Sequence, residues 1–168
     1  MKSAGRGPFV DLLSHLFESQ TNPRAAVLVA HAFFEALADV LVDHNCKHKG
    51  RVRRARYEAK LVLLHELGAI SDERYGQLER FRKIRNRAAH RPFFELTAAD
   101  VDFVPLPPKI EGDEWRSNSP DRRPEIFFLK ITVLLGTFWN EHNTIFAPFF
   151  GEQGSFTKAL GVDENPRA

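Results

Sequence analysis

Lys83-Ile84-Arg85-Asn86-Arg87-Ala88-Ala89-His90-Arg91-Pro92 closes a stretch whose period is that of one long helix, Ser71 to His90. At about 100° per residue, Tyr75, Leu78, Phe81, Ile84, Ala88 and Ala89 fall in one apolar sector. Arg85 points into the middle of that sector. A buried guanidinium requires a carboxylate or several hydrogen-bond partners, because an unpaired buried charge is costly. His90 lies roughly 140° from Arg85 on an ideal helix. Pro92 disfavours helical geometry at Arg91, so His90 is a last-turn or capping residue, where the helix dipole favours an imidazolium.

Outward from this helix the chain reads as further helices. Asn22 and Pro23 are an N-cap and a first-turn proline for a helix running to about His44, apolar on most sides. Tyr57–Leu67 reads as a shorter helix closed by Gly68. Ser71 caps the motif helix, with Asp72 and Glu73 in its first turn. Thr97 starts a short helix, Ala98 to Phe103, and Glu125–Phe146 is a strongly apolar final helix. Pro8–Ser19 is a short amphipathic helix after a disordered leader, residues 1–7. Residues 105–124 hold five of the ten prolines and form a long irregular loop. There, Trp115 and Arg116 are either lid residues over the motif or part of a connector. Residues 147–168 lack a period and read as a tail. The expectation is an all-α, compact bundle of four to five helices in a single domain over 1–168.

At 168 residues the chain can bury a sizeable core. Its net charge of +2 and pI near 8.8 do not by themselves mark a nucleic-acid binder. The distribution is more informative. Lys47, Lys49, Arg51, Arg53, Arg54 and Arg56 form a run with no acidic residue, and Arg87 joins a second basic group around Arg85. The run is either a solvated face or a phosphate-contacting patch. A single cysteine, Cys46, excludes an intramolecular disulfide and fits a reducing cytoplasm. The sequence offers no signal peptide and no uninterrupted membrane span, since His31, Glu35 and Asp39 break the most apolar segment. The expected location is cytoplasmic.

His31, Glu35, Asp39 and Asp43 repeat every fourth residue along the second helix. They are a solvent or interface stripe, or the carboxylates that neutralise Arg85 (Glu35 first, Asp39 second), or half of a metal site completed by His65 and Glu66. No metal and no cofactor are assigned. There is no glycine-rich phosphate loop, no zinc-finger spacing and no helix-turn-helix pattern.

Arg85-Asn86-x-x-x-His90 at a helix end resembles the R-x(4–6)-H motif of the HEPN superfamily. The likeness extends over about Asn22 to Val104. YEAKLVLLHELG (57–68), ISDERYGQLERFRKIRNRAAH (70–90) and FFELTAADV (93–101) are similar to the mannitol operon repressor family within that superfamily. The resemblance implies a HEPN-like bundle and a homodimer that brings two motifs together. It also implies a regulatory protein that works through RNA or protein partners, since no element for direct reading of DNA is present. The alternative it implies is a metal-independent, toxin-like endoribonuclease. In that case Arg85 would orient the phosphate, Asn86 would position groups, and His90 would move a proton.

Overall fold

Asn22 does what its position predicts: its side chain accepts a bond from the Ala25 amide at 3.1 Å, and Pro23 opens helix α1, Pro23–Asn45. In this computed structural model residues 14–19, 21–106 and 120–150 are described, with the side chains of Lys49 and Phe150 excepted. Among the described residues six α-helices follow α1. They are α2 (Lys49–Val52), α3 (Tyr57–Glu66), α4 (Asp72–His90), α5 (Ala98–Val101) and α6 (Arg123–Glu141); α7 (Asn143–Phe150) ends the described chain. A single 3₁₀ turn, Pro120–Arg122, leads into α6, and residues 14–18 add a short helical segment. Among the described residues there is no strand. The all-α bundle is therefore present, with more helices than four or five because short pieces punctuate the long ones.

Local chemistry sets the boundaries. Gly68 takes φ +67°, the one left-handed residue among those described, and lets Ala69 N–H return to the Leu64 carbonyl at 2.9 Å. Ser71 then accepts from the Arg74 amide at 3.2 Å to start α4. Arg91 is extended (ψ 130°), the conformation that Pro92 imposes on its predecessor, so α4 stops at His90. Thr97 and Asp100 form a reciprocal capping box at α5.

α1 is the centre of the molecule. It packs against α3, α4, α6 and α7, while α3 also meets α4 and α5 meets α6. Phe34 of α1 touches Phe81 edge-on at 5.2 Å and Phe138 at 6.3 Å, so one ring joins α1, α4 and α6. Phe103 and Phe127 extend this aromatic seam from Phe81. α1 is also long and apolar enough to cross a membrane by length and composition; most of it is buried inside the bundle.

Ion pairs tie distant elements, among them the following three. Arg74, buried at the start of α4, makes two bonds to Glu141 at the end of α6, 3.0 and 2.6 Å. Lys60 of α3, buried, meets Asp39 of α1 at 2.6 Å. Arg87 of α4 pairs with the buried Asp100 of α5.

The expected final helix Glu125–Phe146 is divided. It begins at Arg123 and ends at Glu141, and the chain turns at His142 (φ −129°, ψ 22°). The turn lets Phe146 fold back on Phe138 and Trp139, at 5.8 and 5.4 Å. An apolar period runs through both helices, so periodicity alone cannot reveal the break. Residues 147–150, read from sequence as tail, belong to α7. The loop expected over 105–124 ends sooner, in the turn at Pro120, and the short helix after Thr97 ends at Val101 rather than Phe103. The leader 1–7, the first part of the Pro8–Ser19 helix, Trp115, Arg116 and residues 151–168 lie outside the described residues.

Candidate functional site

α1 and α4 are in contact, and the mouth of α3 lies beside them. Where the three meet, a cleft of about 330 Å³ opens between His31 and Glu35 of α1, Arg56, Tyr57 and Glu58 at the start of α3, and Arg82, Arg85 and Asn86 of α4. Helical spacing explains the set. His31 and Glu35 are four apart, and Arg82, Arg85 and Asn86 are three and four apart, so each helix presents one short polar strip.

Arg85 does not sit as the sequence predicts. It is half-buried at the cleft, and its one hydrogen bond goes to the Asn86 side-chain carbonyl at 3.2 Å. Among the described residues no ion pair joins it to Glu35 or Asp39. Asp39 is taken by Lys60, which is more deeply buried than Arg85 and needs a counter-charge more strongly. The apolar sector of α4 is broad, and Arg85 falls on its edge, where α1 and α4 leave the cleft open.

The neighbouring charges are committed differently. Arg82 grips Glu79 with two bonds, 2.7 and 2.6 Å, and reaches Glu58 at 3.4 Å. Those bonds from Arg82 hold the Glu79 carboxyl below its ordinary range. Among the described residues Glu35 is paired only with His31, whose Nδ1 is 4.0 Å from Oε2. His31 is buried, with its ring edge-on to Tyr57 at 4.7 Å. Burial lowers its pKa to about 4, with Arg85 and Arg82 adding to the effect, so it is a neutral imidazole at pH 7. Tyr57 is buried, and its hydroxyl has no hydrogen-bond partner among the described residues. Burial pushes that phenol far above its usual range.

His90, the third motif residue, is the last residue of α4 and is exposed; it does not line the cleft. Five residues of helix carry it about 7.5 Å along the axis from Arg85. The structure therefore brings Arg85 and Asn86 together and leaves His90 apart.

The basic candidates also separate. Arg56 lines the cleft. Lys47, Arg51 and Arg54 are exposed beside it in sequence, and Lys49 opens α2. Arg53 is bound to Asp43, its Nε 2.9 Å from Oδ1. Arg87, expected to contact phosphate, is instead turned to the opposite flank and paired with Asp100. Burial alone would raise the Asp100 carboxyl, but bonds from Arg87 and Thr97 outweigh it and hold it below its ordinary value.

Of the polar stripe, Asp39 and Asp43 are thus structural partners, and His31 and Glu35 are cleft residues. His65, proposed with Glu66 to complete a metal site, bonds Asp72 at 2.7 Å. Among the described residues no three of His, Cys, Asp and Glu gather as a metal site. Sequence reasoning assigned no cleft role to Arg82, Tyr57 or Glu58; the signal available was the matched i, i+4 spacing on two helices expected to be neighbours. What the geometry offers is an unneutralised guanidinium beside an amide, in a concave site with one neutral histidine.

These features define an all-helical bundle with an arginine-lined cleft. In comparisons with known proteins, no family model, curated protein or solved structure matches the chain.

Proposed function

We propose that the protein is a HEPN-type regulatory module, similar to the mannitol operon repressor family, which holds a phosphate of an RNA partner in the cleft around Arg85. The observation that carries this reading is the state of Arg85: a half-buried guanidinium, in a concave site, with no carboxylate bound to it among the described residues. A planar fork of donors of this kind suits a phosphate. Asn86 beside it and Arg56 at the rim supply further donors. The exposed cations Lys47, Arg51 and Arg54 extend the positive surface along which a polyanion would lie. The resemblance adds a homodimer, with regulation exerted through the bound partner, and the single cysteine fits a cytoplasmic location.

A second reading has one observation in its favour. His90 is solvent-exposed, at a helix end, with no bonded partner among the described residues, and it is the residue type most often used for proton transfer. As a metal-independent endoribonuclease the protein would need His90 to reach the phosphate held by Arg85, which within one chain it does not line up to do. We favour binding over cleavage for that reason.

The experiment is incubation of purified protein with single-stranded RNA in the presence of chelator, with binding followed by filter retention and products by gel. The binding reading expects retention that falls with salt and with Arg85→Gln, and intact RNA for wild type and His90→Ala alike. Chelator-resistant cleavage to 2′,3′-cyclic phosphate ends that disappears in His90→Ala would establish the ribonuclease instead. Absence of any Arg85-dependent retention would remove both.

A further inference from the structure

Arg85 and Glu35 line the same cleft from facing helices, carry opposite charges, and do not touch. Glu35 has no bonded partner among the described residues except His31 at 4.0 Å, and His31 is neutral at pH 7. The other carboxylate of the cleft, Glu58, is already reached by Arg82. The site thus presents the Arg85 guanidinium and the Glu35 acceptor pair on facing walls of one cleft. A ligand that fills it must carry an anion at one end and hydrogen-bond donors at the other.

We propose that the cleft takes a guanosine phosphate unit, with Arg85 on the phosphate and Glu35 on the Watson–Crick edge of the guanine. This rests on the phosphate reading of Arg85 given above and names what that site selects. The selection follows from the donor pattern of the bases. Guanine alone presents two adjacent donors, N1–H and the N2 amine, which match the two oxygens of a carboxylate in a charge-assisted bidentate pair. Adenine and cytosine each set an amine beside a ring acceptor, and uracil sets one N–H between two carbonyls; against a carboxylate those acceptors repel. The cleft volume of about 330 Å³ is of the size that small-molecule sites have. Arg56 at the rim offers a planar face for stacking, the usual partner of an unstacked base. The buried Tyr57 hydroxyl, without a partner of its own, is a further donor beside the site.

The test is isothermal titration of the full chain with 5′-GMP, 5′-AMP, 5′-CMP and 5′-UMP, and with two short single-stranded RNAs, one containing guanosine and one without it. Wild type should bind GMP about tenfold or more tighter than the other three, the discrimination of a good bidentate pair. Glu35→Gln keeps the shape but turns one acceptor into a donor; it should bring GMP down to the level of AMP and leave AMP unchanged. Arg85→Gln should weaken all nucleotides alike. Glu35 is partly exposed and makes no ion pair that holds the fold, so the melting temperature of Glu35→Gln should match wild type. GMP preference without RNA preference would assign the unit to a free nucleotide; preference in both assigns it to RNA. Arg85-dependent binding with no preference for GMP overturns the guanine assignment and keeps the phosphate site. No Arg85-dependent binding of any nucleotide or RNA overturns both.

Discussion

Asp39→Asn should destabilise the bundle more than any other single charge removal on α1. The ammonium of Lys60 has 4% of its side chain exposed and lies 2.6 Å from Asp39. Removing one partner of a buried pair costs about 3–5 kcal/mol. Asp39 itself is about one-third exposed, at 35%, so water can partly take its place, and the lower end of the range, about 3 kcal/mol, applies. For a chain of this length each kcal/mol moves the melting temperature by about 2–4 °C, giving a loss of about 6–12 °C. Lys60→Met behaves differently. It removes the desolvated charge, fills the same space, and leaves Asp39 able to rehydrate, so its effect should stay within about 1 kcal/mol. The double variant Asp39→Asn/Lys60→Met should then be much closer to Lys60→Met than to Asp39→Asn. Thermal and urea unfolding followed by circular dichroism at 222 nm provide the numbers. A melt of Asp39→Asn within about 2 °C of wild type, or equal losses for the two single variants, would refute the reasoning.

Two further outcomes follow from the site. His31 titrates near pH 4 folded and near 6.5 unfolded, so the unfolded chain binds more protons between those values. The contribution of His31 to stability is therefore complete above pH 6.5 and is lost as the pH falls toward 4, by up to about 1.4 kcal/mol per pH unit. Urea unfolding of wild type and His31→Gln at pH 7.5, 6 and 5 should show a difference that shrinks on acidification; a constant difference would contradict it. Arg87→Ala should cost roughly 2 kcal/mol, because it leaves the buried Asp100 carboxylate with only its Thr97 bonds, whereas Arg85→Ala should cost under about 1 kcal/mol. The reverse order in denaturant midpoints would return Arg85 to a structural role.

The helices were legible because their ends carry chemistry. Asn22-Pro23, Gly68, Ser71, Thr97 and Pro92 each act on the backbone next to them, and each sits where that action places a boundary. Pairings were not legible, because they depend on how helices rotate about one another. The period of α4 put Arg85 in the apolar sector, but a sector is broad, and a modest rotation moves its edge out to the cleft. The partner of Asp39 is Lys60, a residue whose type suggests solvent and whose side chain is nevertheless inside. The break at His142 escaped for a related reason: the reward for it is Phe146 meeting Trp139, a contact visible only in three dimensions. His31 and Glu35 were visible as a spacing, and Arg82 and Arg85 as another, yet only the packing of α1 on α4 joins the two.

α1 is covered mainly by helices that follow it in sequence, and α6 and α7 are made long after it. At about 5–20 residues per second, the interval between synthesis of Asn45 and of Arg123 is on the order of 5–15 s. Until α6 and α7 emerge, a segment with the length and hydropathy of a membrane span has, of the helices that pack on it, α2, α3 and α4 to shelter it as each is made. The nascent chain thus offers a binding surface that the finished protein lacks, and the factors that survey emerging apolar segments have their opportunity then. Moving the sequence of α6 and α7 closer to α1, by circular permutation, would shorten that exposure.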